Sequence, residues 1–339
     1  MRKFIIIAVL FIVVSGFVKL TGEKNDPATV RAAINKSLPL LQKTSYTFLV
    51  NAVTCVSCHG EALGLINWSL AREKGFTVQD SSIKGAVDST HNTWRRRLRY
   101  LAQNDDQAAI VIAGSYDLWA FDAMHIAPDK VMELLARNIM QRQRKDGSWV
   151  SPNARPPLEY YSFSATAMAI RGLQAYLPAI YKEEMQRRTE QAKKWMMTQP
   201  AIANEEKVFQ LLGLTWANGD KAFIKQQAAK LLSAQHLDGG WSQVDSLPSD
   251  AYATGQSLYS LYLSGQLQTD DPAYQRGVAF LLKTQFEDGS WKVVTRSFPS
   301  VPFTESGFPH GDNQFISAAG SNWATMALLV TQKAIGSKQ

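Results

Sequence analysis

The chain has 339 residues, 45% apolar and 19% charged, the balance of a globular protein able to bury a sizeable core as one large domain or two smaller ones. Its net charge of +7 is moderate. Together with the export signal described next, that charge excludes nucleic acid as an expected partner.

At the N-terminus, Arg2 and Lys3 precede an apolar run from Phe4 to Val14 that continues to Val18. A basic start and a short apolar core read as a signal peptide or N-terminal anchor over residues 1–19. The run is short for a full membrane span, and Val14-Ser15-Gly16 is the nearest small-residue cleavage candidate. Either outcome places the body of the protein outside the cytoplasm, periplasmic or membrane-anchored and facing the periplasm, with membrane association through this segment.

A helix is expected over 28–52, followed by Cys55-Val56-Ser57-Cys58-His59, which holds both cysteines of the chain. Two thiols three positions apart can form thioethers to one porphyrin, and the adjacent imidazole can reach the iron as proximal ligand. The expected cofactor is therefore covalent haem c on Cys55, Cys58 and His59. A Cys-x-x-Cys disulfide needs no His59, and a zinc site needs a fourth ligand from elsewhere. Candidates for a sixth iron ligand are His91, Met124, His125, His236 and His310, with His91 nearest in sequence.

Further helices are expected over 61–75, 91–103, 107–122, 129–144, 160–177, 181–199, 206–218, 220–236, 249–265, 271–286 and 314–334, with no convincing strand. The densest basic patch, Trp94-Arg95-Arg96-Arg97-Leu98-Arg99, reads as a solvated helix face.

An internal repeat runs through these helices. Gln143-Arg144-Lys145-Asp146-Gly147-Ser148-Trp149 recurs as Gln235-His236-Leu237-Asp238-Gly239-Gly240-Trp241 and as Gln285-Phe286-Glu287-Asp288-Gly289-Ser290-Trp291, with a weaker copy at Gln199. Asp-Gly ends the preceding helix, Gln can bond freed backbone groups, and Trp plugs the space between neighbouring helices. Twelve helices in pairs close an all-α (α/α)6 toroid. Residues 23–105 would form an N-terminal helical region carrying the Cys-x-x-Cys-His motif, and 106–339 the repeat region, continuous in one toroid. The proline-bearing stretch Lys292 to Asn313 is expected across one mouth.

The Gln-x-x-Asp-Gly-x-Trp copies resemble the Gln-Trp motifs of squalene–hopene and oxidosqualene cyclases, whose α-toroid also occurs in protein prenyltransferase β subunits. The resemblance covers roughly Ala108 to Ala334. With Cys-x-x-Cys-His and Glu305-Ser306-Gly307-Phe308-Pro309-His310-Gly311, the chain also looks like poorly characterised exported bacterial proteins with cyclase-type repeats. The cyclase resemblance implies a proton-donating Asp within Asp-x-Asp-Asp-Thr-Ala. The matching segment is Asp250-Ala251-Tyr252-Ala253-Thr254-Gly255, so Tyr252 stands where the donor belongs, and a phenol near pKa ~10 cannot replace it. The prenyltransferase route implies a zinc-binding cysteine, which the toroid segment lacks.

Tyr116, Trp119, Tyr160, Tyr161, Phe163, Phe209, Trp216, Tyr252, Tyr259 and Trp323 are expected near the toroid centre, around an apolar isoprenoid-like or quinone-like ligand. Asp250, Glu305, His310 and Glu159 are the catalytic candidates, with Asp312 also at the mouth. The leading expectation is a redox or electron-transfer protein with a partner protein. A cyclase-like isomerase with a nonstandard acid and a noncatalytic binding scaffold are the alternatives.

Overall fold

The structure is a computed structural model that describes residues 24–51, 58–105, 109–151, 155–297 and 304–334. The N-terminal segment 1–19 and Cys55 lie outside the described residues, as do the side chains of Cys58 and His59.

The described residues form thirteen α-helices: α1 (Pro27–Asn51), α2 (Leu63–Glu73), α3 (Asp80–Arg96), α4 (Leu98–Gln103), α5 (Ile110–Ala123), α6 (Lys130–Gln141), α7 (Ser162–Tyr176), α8 (Lys182–Thr198), α9 (Asn204–Trp216), α10 (Lys221–Ser233), α11 (Ala251–Leu263), α12 (Pro272–Thr284) and α13 (Gln314–Leu329). No strand occurs among them, apart from one isolated bridge between Trp241 and Asp250.

Helices α2, α5, α7, α9, α11 and α13 each pack against the next, and α13 packs back on α2, which closes an inner ring. Helices α1, α3 with α4, α6, α8, α10 and α12 lie outside it. The (α/α)6 toroid expected from the repeat is therefore the fold. Composition explains which helix goes where. Helix α13 buries every residue from Gln314 to Leu329, and α5 buries Ile110 through Phe121. A helix apolar or small all round must be surrounded. Helix α8 buries only Ala192 and Met196, so one face suffices and it stays outside.

The expected helix 91–103 differs. The structure has α3 starting at Asp80, a break at Arg97, and then α4. The buried stripe of α3 is Ile83, Ala86, Thr90 and Trp94, about one residue per turn with only two large apolar members. The stripe is regular, but Ser, Asp, Thr and Arg fill most of the other positions, so the segment reads as polar overall.

The repeat motif works as a staple. Gln143 Nε2 donates to Gly147 O at 2.9 Å and to Arg188 O on α8 at 2.8 Å. Gln235 does the same to Gly239 O and to Ala273 O on α12. Gln285 bonds Gly289 O and reaches Ala33 O on α1 at 2.9 Å, so the third copy ties the last outer helix to the first. Each Trp donates its ring N–H to the carbonyl ten residues earlier: Trp149 to Ile139, Trp241 to Leu231 and Trp291 to Leu281. The Thr of the following inner helix accepts the Trp backbone N–H, through Thr166 and Thr254. In the third copy Ser321 takes this role, while Thr325 meets Ser37. At Gln199 the staple is replaced by Gln210 of α9, whose Nε2 bonds Met196 O. Gly289 has φ +88°, and a Cβ there would sit 2.4 Å from Lys36 O, so both conformation and space demand glycine.

Small residues also set the inner ring. A Cβ on Gly255 would lie 2.5 Å from Ala324 N, where α11 meets the backbone of α13. Gly255→Val is expected to destabilise by about 3 kcal/mol or more, since neither helix can retreat from a closed ring. Thermal unfolding measures this, and an unchanged midpoint would mean that the two helices are not packed so closely.

Candidate functional site

In the toroid the inner helices run in one direction, so their N-termini meet at one mouth. The Cys58–Ala62 turn leads into α2 at this same face. The stretch 292–313 is tied along it: Asn51 Nδ2 bonds Glu305 O, Thr295 N bonds Asn313 Oδ1, and Ser306 N bonds Gln314 Oε1. Residues 298–303 of that stretch fall outside the described residues.

The central group at this mouth is Glu205, the second residue of α9 and 1% exposed. Gln256 Nε2 of α11 donates to Glu205 Oε2 at 2.7 Å, and the Tyr252 hydroxyl donates to the same oxygen at 3.0 Å. The Ser164 hydroxyl of α7 lies alongside but gives its proton to Tyr161 O at 2.9 Å. Glu205 Oε1 has no hydrogen-bond partner. Burial pushes the Glu205 carboxyl up to about 8, against the pull of its donors and with help from Glu206. It is therefore an acid at neutral pH. Two donors on Oε2 leave Oε1 as the oxygen free to hold a proton.

Tyr252, at the position of the missing cyclase acid, is held well above the ordinary phenol range by burial and by Glu205. It remains a hydrogen-bond donor. Asp250 caps α11: Oδ1 accepts from Ala253 N and Oδ2 from Gln243 Nε2, each at 2.9 Å. Burial raises its carboxyl to about 6.

The other candidates do not join this cluster. Glu159 is buried in an ion pair with Arg155 at 3.1 Å. Glu305 closes its own turn on Gly307 N and accepts from Gln314, and these hydrogen bonds hold it below the usual range. His310 pairs Nε2 with Ser290 Oγ of the third repeat turn at 2.8 Å, and Asp312 lies in a short 3-10 turn beside it.

Below Glu205, six of the expected aromatics do meet. Trp119 lies 5.3 Å from Trp216, 6.1 Å from Trp323 and 6.4 Å from Tyr116 between ring centroids. Phe209 and Tyr259 stand 6.3 and 5.9 Å from Trp323. These rings fill the axis at that level. Phe163 turns outward instead and packs on Trp195 of α8 at 4.7 Å, because its helix face looks to the outer layer. Tyr160 and Tyr161 pair with each other near the mouth.

The haem candidates are only partly placed. The backbone of Cys58 and His59 belongs to a π-helical turn, and Gly60 of that turn lines a small cavity with Leu41, Phe48, Phe315 and Ala318. His91, nearest to the motif in sequence, pairs with Asp129 at the start of α6 at 2.6 Å. Met124 and His125 follow the C-terminal end of α5, on the face opposite the motif. His236 pairs with Ser249. Among the described residues no group of three or more His, Cys, Asp or Glu could hold a metal ion.

Sequence reasoning missed Glu205. Asn204-Glu205-Glu206 reads as ordinary acidic residues opening a helix. Glu206 fulfils that reading, its Oε2 accepting from Ile202 N and Ala203 N at 2.9 Å. No local signal distinguishes its neighbour.

No family profile matches the chain. A stretch of 118 aligned residues, 31% of this chain, is 30% identical to squalene–hopene cyclase of Bradyrhizobium diazoefficiens and spans only 17% of that protein's length. Among solved structures, the type II terpene cyclase MstE from Scytonema superposes with a TM-score of 0.53 at 13% identity, covering 89% of this chain and 98% of that one. Unsaturated glucuronyl hydrolase from Streptococcus agalactiae superposes with a TM-score of 0.57 at 12% identity, covering 96% of this chain and 98% of that one. At such identities the structural likeness establishes the fold. The chain has the (α/α)6 toroid fold that this terpene cyclase and this glucuronyl hydrolase share.

Proposed function

We propose that this protein is a terpenoid-cyclase-like isomerase in which Glu205 supplies the proton that the degraded Asp250-Ala251-Tyr252-Ala253 segment cannot. The observation that carries this reading is a buried carboxyl at the toroid mouth whose Oε2 takes both donors and whose Oε1 has no partner, on the same inner helix as Phe209 and Trp216 of the aromatic cluster. Proton transfer from Oε1 to the substrate would leave a carboxylate stabilised by Tyr252 and Gln256. The cation formed would meet aromatic faces, whose quadrupoles favour positive charge. A carboxyl at about 8 is a weaker acid than free glutamic acid, so a bare alkene is a poor match. An isoprenoid bearing an epoxide oxygen is the better-matched substrate. The reading requires Trp119 and the half-buried Trp216 to turn aside and admit the chain.

The test is turnover of squalene, oxidosqualene and a geranylgeranyl-substituted phenol by the purified protein, followed by mass spectrometry of the extract. A cyclised product is expected from the epoxide. Glu205→Gln should reduce its formation by about 10²–10⁴-fold, the usual worth of a general acid, whereas Glu206→Gln should retain it. No product from any of the three substrates overturns the reading.

The Cys-x-x-Cys-His motif carries a second reading. Cys55 and Cys58 would hold haem c through thioethers and His59 would be its axial ligand, in a periplasmic protein with an electron-transfer partner. When bound, the haem would supply one-electron chemistry. Material matured with c-type haem machinery should then show a Soret band that survives denaturation and extraction, and a colourless protein defeats this reading.

A further inference from the structure

The outer surface carries a second recess, apart from the mouth. A groove of about 670 Å³ runs between α1 and the segment 77–82 that leads into α3. This volume lies within the ~300–1,000 Å³ of ordinary small-molecule sites. We propose that this groove binds a neutral oligosaccharide.

The lining chemistry carries the inference. One wall is a single face of α1, where Asn35, Leu38, Pro39, Gln42 and Tyr46 follow each other at helical spacing, so apolar and polar groups alternate along it. The facing wall is Thr77, Gln79, Ser81 and Ser82. Amides and hydroxyls both donate and accept hydrogen bonds, as do the hydroxyls of a sugar. None of the lining residues is acidic, and Lys43 is the one cation among them. Asp80, which sits in the sequence between two of the lining residues, is engaged with Arg72 instead. A phosphorylated or strongly anionic ligand would call for more positive charge.

Tyr46 adds the second element. Its ring is 67% exposed on the groove wall. An aromatic ring with an apolar face and a polar tip suits a pyranose, which presents C–H groups on its faces and hydroxyls at its edge.

The walls are also fixed in advance. Gln42 Oε1 accepts from Gln79 N at 2.9 Å, while its Nε2 donates to Leu38 O at 3.1 Å, so a buried glutamine locks the two sides together. Pro39 stands inside α1 and carries no N–H, so the Asn35 carbonyl receives no helical hydrogen bond from that position. This leaves backbone acceptor capacity on the groove wall. A groove fixed in advance loses little entropy on binding.

The experiment is isothermal titration of the full chain with maltotriose, cellotriose and chitotriose. Saturable binding of at least one trisaccharide at millimolar concentration or tighter is expected. Tyr46→Ala should weaken it at least tenfold and Tyr46→Phe should retain it, both with an unchanged circular dichroism spectrum because Tyr46 is exposed. Terpenoid turnover should be the same in all three proteins, so failure here is distinguishable from failure of the Glu205 reading. Absence of binding by all three sugars overturns the proposal. Equal binding by Tyr46→Ala overturns it too, as does saturable binding of a proline-rich decapeptide in place of the sugars.

Discussion

Trp241→Ala is expected to lower the unfolding free energy by about 3–5 kcal/mol, the cost of emptying a large aromatic site in a closed core. Trp241 is fully buried. Its ring N–H donates to Leu231 O of outer helix α10 at 2.8 Å, and its backbone N–H to Thr254 Oγ1 of inner helix α11 at 2.9 Å. Side chain and backbone of one residue thus join the end of an outer helix to the inner helix that follows it. Alanine would leave a cavity between the two layers, and the Leu231 carbonyl would keep only its backbone partner, Ala234 N. Trp241→Phe keeps most of the volume and removes only the ring hydrogen bond, so about 1–2 kcal/mol is expected. Urea unfolding of the three proteins measures both steps. A loss below about 1 kcal/mol for the alanine variant would mean that the motif is decoration on a fold held by other means.

Glu205→Gln is expected to raise stability at alkaline pH while leaving it nearly unchanged near pH 4. The carboxyl sits at about 8 in the folded protein against an ordinary value of 4.5. Between those values the folded state keeps a proton that the unfolded chain releases. Stability is then highest below the lower value, falls as pH rises through the interval, and levels off above about 8. Each tenfold difference in proton affinity between the folded and unfolded chain is worth about 1.4 kcal/mol, so the total swing is several kcal/mol. Glutamine mimics the protonated acid and cannot ionise, so the variant escapes this loss. Asp117 is also buried and raised to about 8, with Trp94 Nε1 on its Oδ2, and adds a swing of the same sign to both proteins. The difference between wild type and variant therefore isolates Glu205. Melting temperatures at pH 5 and pH 9 decide the matter: parallel profiles would mean that Glu205 is ionised in the folded state and cannot serve as an acid at neutral pH.

The two predictions differ in how far the sequence could foresee them. The role of Trp241 follows from a motif whose parts are local. Asp238 bonds Gly240 N two residues on, Gly239 takes φ +89°, and the Trp reaches a carbonyl ten residues back. Such geometry is written within a few residues, and it recurs at Trp149 and Trp291 with the same spacing. Helix α3 was harder to foresee because its inward stripe is thin. Phe163 escaped the sequence pattern because small rotations of an inner helix decide between axis and outer layer.

Length, helical periodicity, small residues on the inner helices and the repeated Gln-x-x-Asp-Gly-x-Trp turn were enough to determine the toroid, because each acts through neighbours in the chain. Cys55, Cys58 and His59 likewise stand out by spacing alone. The acid at the mouth was decided only by tertiary structure. Glu205 and Glu206 are adjacent carboxylates at one helix start, yet only Glu205 is fully enclosed and held by Tyr252 and Gln256, which are 47 and 51 residues away in the chain. Desolvation depends on what the folded ring packs around a group, and no local pattern encodes it.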